Sequence, residues 1–210
     1  MEINPQKYDS IARNIFRPIY PVIAEQIIAY TGISKGDCLD IGCGGGYLGL
    51  ALARCSGLRI HFLDPLKEML EIVRRNVSEE RLEDRTAILH GSAEAIPLPD
   101  GAVDLAVSRG SVFFWDDLES AFQEIHRVLA PGGMAYIGGG FGSAKLKQEV
   151  IRKREAQKGD GDRWQENIRR NIGSNAPRKF RAALKRAAVP LNEIIHNQEV
   201  GLWITIAKAK

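Results

Sequence analysis

Apolar residues recur along this chain in two alternating signatures. Short, nearly unbroken runs fall at 38–41 (CLDI), 59–64 (RIHFLD), 86–91 (TAILHG), 103–108 (VDLAVS) and 134–138 (MAYIG). They are too short for helices and are bounded by Gly, Asp or Pro, so they predict five strands. The 103–108 run is apolar at nearly every position, as a central parallel strand buried on both faces requires. Between the runs the period changes to three or four. One helix is predicted from Tyr47 to about Cys55, and a second places Leu66, Met69, Leu70, Val73 and Val77 on one face. A third buries Leu118, Ala121, Phe122, Ile125, Val128 and Leu129. Asp116 is expected to cap this third helix, with Glu119 three residues on completing a capping box. Strands alternating with helices predict a doubly wound, mostly parallel α/β sheet.

Both ends of the chain depart from that alternation. In the N-terminal segment, 1–36, residues 22–30 (VIAEQIIAY) set Ile23, Ile27, Ile28 and Tyr30 near one helical face. Pro18 and Pro21 break the chain before this helix, and Gly32 ends it. After the fifth strand, 142–176 predicts a small helical insertion. One basic helix carries Leu146, Val150 and Ile151; another carries Trp164, Ile168 and Ile172; the GDGD turn at 159–162 separates them. A helix from about Pro177 buries Phe180, Ala183, Leu184 and Ala187. Residues 192–200 and 202–210 predict two strands joined at Gly201, and so tight a connection makes them antiparallel. The expected architecture is one domain with a seven-stranded sheet. It has a helical lid at 1–36, a core at 37–141, a cap over the acceptor side at 142–176 and a final αββ unit at 177–210.

The candidate chemistry concentrates at 38–49, CLDIGCGGGYLG, where a strand runs into a helix through Gly42, Gly44, Gly45 and Gly46. Glycines there permit positive φ and let the backbone approach a ligand with no Cβ between them. The helix N-terminus behind them offers unpaired N–H groups suited to a phosphate or a carboxylate. Two patterns overlap. Gly44, Gly46 and Gly49 fit G-x-G-x-x-G, the dinucleotide fingerprint. Asp40 with Gly42, Gly44 and Gly46 fits acid-x-Gly-x-Gly-x-Gly. A carboxylate at Asp40 repels a pyrophosphate but accepts hydrogen bonds from an ammonium. The second pattern therefore suits an amino acid moiety, its carboxylate on the glycine N–H groups and its amine on Asp40. Asp64 ends the second strand, where an acidic residue accepts from both hydroxyls of a ribose. With Pro65 after it, Asp64 also fits a helix N-cap.

LDIGCGGGYLGLALA resembles the first motif of the class I S-adenosylmethionine-dependent methyltransferases. Later stretches extend the resemblance over most of 37–140. Gly91-Ser92-Ala93-Glu94, Val103-Asp104 and EIHRVLAPGG at 124–133 are similar to the small-molecule branch of that family, the methyltransferase domain 11-like proteins. The resemblance implies a Rossmann-like fold and S-adenosylmethionine as cofactor, held by Asp40, Gly42, Cys43, Gly44, Asp64, Pro65, Ser92, Ala93 and Ser108. Ser92 replaces the family's usual Asp, so its hydroxyl would accept from the adenine amino group without charge assistance; the N–H of Ala93 is a second contact. Family N-terminal helices lie over the cofactor and frequently start with Tyr-Asp, here Tyr8-Asp9.

The implied activity is methyl transfer to a small-molecule acceptor. Tyr8, Arg13 and Arg17 are expected to face the site. The fourth-strand exit, with Arg109, Phe113, Phe114 and Trp115, suggests a partly aromatic acceptor pocket with one cation. That exit lacks the Asn or Asp-Pro-Pro-aromatic run of enzymes acting on nucleobase amines. Transfer from a sulfonium needs alignment and exclusion of water more than a general base. His61, His90, His126 and His196 fall in predicted strands or helices and read as structural.

Composition narrows the setting. Of 210 residues, 44% are hydrophobic and 26% charged, the balance of a soluble globular chain. No apolar run approaches a membrane span, and the N-terminus shows no signal pattern, so a cytoplasmic location is expected. Cys38, Cys43 and Cys55 lack metal-ligand spacing and read as reduced packing residues; no metal is expected. The net charge of +3 is uneven, with 14 Lys and Arg against 5 Asp and Glu between Lys145 and Arg186. This stretch suits a solvated cap or a small anionic acceptor better than nucleic acid. An RNA methyltransferase using that basic stretch and a nicotinamide-dependent oxidoreductase remain the rival readings.

Overall fold

A computed structural model describes residues 4–156, 166, 171–197 and 201–210. Its strands are β1 (Lys35–Ile41), β2 (Gly57–Asp64), β3 (Thr86–His90), β4 (Val103–Arg109), β5 (Leu129–Gly139), β6 (Leu191–Asn197) and β7 (Gly201–Ala207). They form one sheet in the order β3-β2-β1-β4-β5-β7-β6. The first five are parallel, and β7 runs antiparallel between β5 and β6. Strand order reverses between β1 and β4, so a crevice opens beyond their carboxyl ends, where doubly wound folds bind ligands.

Helices cover both faces. On one side lie α2 (Ile19–Thr31), α3 (Tyr47–Cys55) and α4 (Lys67–Glu79); on the other, α5 (Leu118–Val128) and α7 (Ala176–Arg186). Alternation along β1 divides the core. Leu39 and Ile41 pack with Phe122, Ile125, Phe180 and Leu184, whereas Cys38 packs with Ile23, Ile27, Leu52 and Phe62. Asp40 shares the face of Cys38 and so points toward α3. Among the described residues no helix is long and apolar enough to cross a membrane, and no group of three His, Cys, Asp or Glu could hold a metal.

Several boundaries differ from the sequence pattern for local reasons. β1 starts at Lys35, because Lys35, Gly36 and Asp37 pair with Gly57, Leu58 and Arg59 although they are polar. α5 is capped by Asp117 rather than Asp116; its carboxylate accepts from the N–H groups of Glu119 and Ser120. That shift puts Glu119 one position too early for a capping box, and its carboxylate instead meets Arg186 at 2.9 Å. Asp64 does not cap α4, which begins two residues beyond Pro65; it accepts from Leu66 N–H at 3.0 Å in a tight turn. Pro21 does not break α2, because it lies in the first turn, where its missing N–H costs nothing.

Ahead of α2 stand α1 (Pro5–Ile11), capped by Asn4, and a π-helical turn at Ala12–Phe16. The first insertion helix is α6 (Ala144–Glu155). Gly159, Gly161, Trp164 and Ile168, assigned to the turn and the second insertion helix, lie outside the described residues.

The EIHRVLAPGG stretch has a structural explanation. Glu124 accepts from Ile96 N–H, and Arg127 donates to the carbonyls of Ile96 and Leu98 and to Glu124 and Asp100. The pair holds the connection between β3 and β4 against α5. Arg127→Ala should lower stability by about 2 kcal/mol, since two carbonyls and two carboxylates lose a charged donor. A lower denaturant midpoint at unchanged m-value is the expected result.

Candidate functional site

The turn from β1 into α3 is built from close approaches that exclude side chains. A Cβ on Gly42, where φ is +62°, would lie 2.4 Å from the Cβ of Ser111; one on Gly49 would lie 2.4 Å from the Phe62 ring. The turn also closes on its own hydrogen bonds. Cys43 N–H donates to Leu63 O, Gly44 N–H to Asp64 Oδ2 at 2.9 Å, Gly46 N–H to Cys43 O and Gly49 N–H to Asp40 Oδ2 at 3.0 Å. These N–H groups are therefore spent within the protein rather than offered to an anion. Of the glycine amides expected to receive a carboxylate, those of Gly44, Gly46 and Gly49 have acceptors inside the protein.

Asp40 and Asp64 are both buried. Burial pushes the Asp40 carboxyl up to about 7, partly opposed by the Gly49 N–H and reinforced by Asp64. Asp64 is also raised by burial, against the N–H groups of Leu66 and Gly44. Each Asp64 oxygen accepts one backbone hydrogen bond and keeps a second lone pair, the requirement for a diol.

A small cavity lies over the turn. Tyr8, Tyr20, Asp40, Gly44, Tyr47 and Arg109 are among its lining residues. Tyr8 lies across Gly44 and is 40% exposed, with its hydroxyl in a partly desolvated setting. That desolvation raises its pKa, and Arg109 partly offsets the rise. Arg109 leaves the end of β4 and folds under the N-terminal segment. Its guanidinium sits 4.6 Å from the Phe16 ring centroid and 5.5 Å from that of Tyr20, and it donates to Gly140 O at 3.3 Å. It forms no ion pair with Asp40. The cavity thus holds a carboxyl and a guanidinium that are not paired with each other.

The other sequence candidates divide. Pro65 accepts from His90 Nε2 through its carbonyl at 3.0 Å. Ser92 and Ala93 follow β3, with Ala93 buried in the core. Ser108 is fully buried and supports the turn indirectly: its hydroxyl meets that of Ser111 at 2.6 Å, and Ser111 donates to Ile41 O. Trp115 is not in the cavity; it packs edge-on against Phe122 at 6.5 Å and anchors α5. Arg13 is not in it either, because Asn76 holds its guanidinium at 2.7 Å and Glu79 at 3.5 Å, on the far side of Tyr47.

Contacts that the sequence pattern did not reveal fix the N-terminal segment over the turn. Tyr47 donates to the buried carboxylate of Asp9 at 2.5 Å, and Arg75 donates to its other oxygen at 3.0 Å. Asn76 is 3% exposed and donates to Gly45 O at 2.8 Å. A legible signal existed: Asn76 is a polar residue beside the apolar stripe of α4, between Val73 and Val77.

Residues 39–137 match the family described as methyltransferase domain. A solved chain from Methanococcus maripaludis, assigned to the S-adenosyl-L-methionine-dependent methyltransferases, is 41% identical with a TM-score of 0.93; the match covers 100% of this chain and 98% of that one. An uncharacterised methyltransferase of Mycobacterium tuberculosis is 38% identical over 117 residues, covering 56% of this chain and 44% of the relative. The malonyl-[acyl-carrier protein] O-methyltransferase of Serratia marcescens is 33% identical over 113 residues, 53% of this chain and 42% of the relative. The chain spans about half the length of these curated relatives. Full-length likeness to the Methanococcus chain, the matched domain and the acid-glycine turn at a doubly wound switch point together establish that this chain belongs to the class I S-adenosylmethionine-dependent methyltransferases.

Proposed function

We propose that the chain transfers a methyl group from S-adenosylmethionine to a small-molecule acceptor, in the cytoplasm. One observation carries the reading: the Asp40 carboxyl and the Arg109 guanidinium line the same cavity without an ion pair between them, a short distance from Asp64. An α-amino acid end fits between the first two. Asp40 accepts from its ammonium and Arg109 donates to its carboxylate, a role that the amides of Gly44, Gly46 and Gly49, bound within the protein, do not fill. Asp64 accepts from the ribose hydroxyls. Ser92 and Ala93, beyond β3, are the residues assigned to the adenine, and Ser108 keeps the turn in place through Ser111.

When bound, S-adenosylmethionine supplies a methyl group on a positively charged sulfur, already activated for in-line displacement. The protein's share is then to align the acceptor and exclude water. In this reading 1–36 covers the cofactor and 142–176 covers the acceptor. Phe113 and Phe114 supply an apolar mouth beyond β4, beside which Lys179 stacks on Phe180 at 4.7 Å. A small acceptor carrying a carboxylate suits that mouth, in keeping with a relative named for malonyl O-methylation. The three free cysteines are in keeping with a reducing compartment.

Three outcomes test the reading. Asp64→Ala should weaken S-adenosylhomocysteine by about 2–3 kcal/mol in calorimetry through loss of a charged acceptor. Binding of a nicotinamide dinucleotide, with no response to S-adenosylhomocysteine, would reject the assignment.

Arg109→Met should weaken S-adenosylhomocysteine by about tenfold or more and leave adenosine unchanged, because only the former has a carboxylate. Equal loss for both ligands would remove the role given to Arg109.

Asp40 makes binding depend on pH. Its folded-state pKa of about 7 lies above the ordinary value of 3.8. The neutral form therefore favours the ligand-free fold, a contribution complete below the ordinary value and lost as pH rises through about 7. An ammonium needs the ionised form, so affinity should rise from pH 6 to pH 8, with proton release on binding. Calorimetry in buffers of different ionisation enthalpy measures that proton, and Asp40→Asn should abolish it.

A further inference from the structure

A second cavity, larger than the first, lies behind the cofactor cavity between the N-terminal segment, α3 and α4. Arg13, Arg17, Arg54, Tyr20, Leu50 and Tyr47 contribute to its walls. Tyr20 and Tyr47 line both cavities and stack on each other, with ring centroids 5.4 Å apart and planes inclined by 25°. The two cavities are therefore separated by one layer of aromatic rings.

Charge in the second cavity is not balanced. Glu80 is bound by Arg54 through two of its guanidinium nitrogens, Nε and Nη2. Glu79 is shared between Arg13 at 3.5 Å and Arg75 at 3.7 Å. Arg17 is exposed and has no hydrogen bond or ion pair among the described residues, leaving one cation without a counter-charge on the rim. The floor, from Leu50, Pro21 and the Tyr20 ring, is apolar. Such a site is suited to a small oxyanion, a carboxylate or a phosphate, that reaches Arg17 while its body rests on that floor.

The segment that supplies Arg13 and Arg17 also builds the first cavity. Both arginines flank or lie in the π-helical turn Ala12–Phe16, a rare backbone form that is frequent at functional sites. The same stretch places Ala12 against the cofactor cavity and Phe16 against Arg109, and it leads into Tyr20 of α2, which lines that cavity too. A second link runs from Arg13 through Asn76 to Gly45 of the glycine turn.

We propose that this rear cavity is a binding site for a small oxyanion, and that its occupancy is coupled to cofactor binding through the π-helical turn and the Tyr20–Tyr47 stack. The coupling rests on the cofactor reading above; the anion site does not. An anion on Arg17 would hold the segment in the arrangement that closes the first cavity, so each ligand should tighten the other.

The test uses inorganic phosphate as probe, with chloride at matched ionic strength as control. Phosphate titrated into the full ligand-free chain should give saturable binding by NMR, with shifts at Arg13, Arg17 and Tyr47. Arg17→Ala should weaken it about fivefold or more, and Arg17→Lys should retain part of it. Absence of saturable binding, or binding unchanged in Arg17→Ala, overturns the site. With phosphate saturating, S-adenosylhomocysteine should bind about threefold or more tightly, and that gain should vanish in Arg17→Ala. Phosphate binding at Arg17 without that gain overturns the coupling. Failure of S-adenosylhomocysteine to bind under any condition overturns the cofactor reading and the coupling with it, while the phosphate result stands independently.

Discussion

The structure depends on a turn that must bring the N-terminus of α3 onto the Asp40 carboxylate while passing against Ser111 and Phe62. Hydrogen bonds from Cys43, Gly44, Gly46 and Gly49 close that turn onto β1, β2 and itself. No side chain fits at Gly42 or Gly49 without displacing a neighbour. The geometry decides how charge is arranged. Because the amides of Cys43, Gly44, Gly46 and Gly49 are used internally, the turn presents two carboxylates beside fewer N–H groups, and a cation comes to the same cavity from another strand, as Arg109.

The N-terminal segment completes what the turn begins. Taken alone, its helices are short and would be marginal in water. They are held by burial of Ile15, Ile19 and Ile23 and by a polar network in which Asp9 meets Tyr47 and Arg75. A buried carboxylate with two directed donors fixes position more sharply than apolar contact does. Tyr8 and Tyr20 consequently stand over the turn at defined places, and Phe16 supports Arg109.

Much of this was legible in the sequence. The parallel core follows from short apolar runs separated by helical periods, and the antiparallel ending from the tight connection at Gly201. The acidic residue at the end of each of β1 and β2 marked the site. What the sequence concealed was mostly direction. Arg13 and Arg109 both read as site cations, yet a π-helical turn sends Arg13 behind Tyr47, whereas Arg109 folds under Phe16. Ser108 read as a ligand contact but is buried one layer below. The cap of α5 moved by one residue because adjacent aspartates offer the same chemistry, and only the local backbone selects Asp117. Periodicity reports which face a residue occupies; it does not report which neighbour claims its side chain.

The rival dinucleotide reading fails on electrostatics rather than on pattern. G-x-G-x-x-G is present, but a pyrophosphate over this turn would meet two buried carboxylates and few free amides. Burial already raises the cost of ionising both Asp40 and Asp64, and Asp64 adds to it at Asp40. A dianion would push both further toward the neutral form and lose the hydrogen-bond acceptors a ribose needs. A ligand with an ammonium and a sulfonium does the reverse: it favours the ionised form of Asp40, and its carboxylate has Arg109 to meet. The same glycines therefore serve opposite ligands in different folds, and the residue that ends the preceding strand decides which.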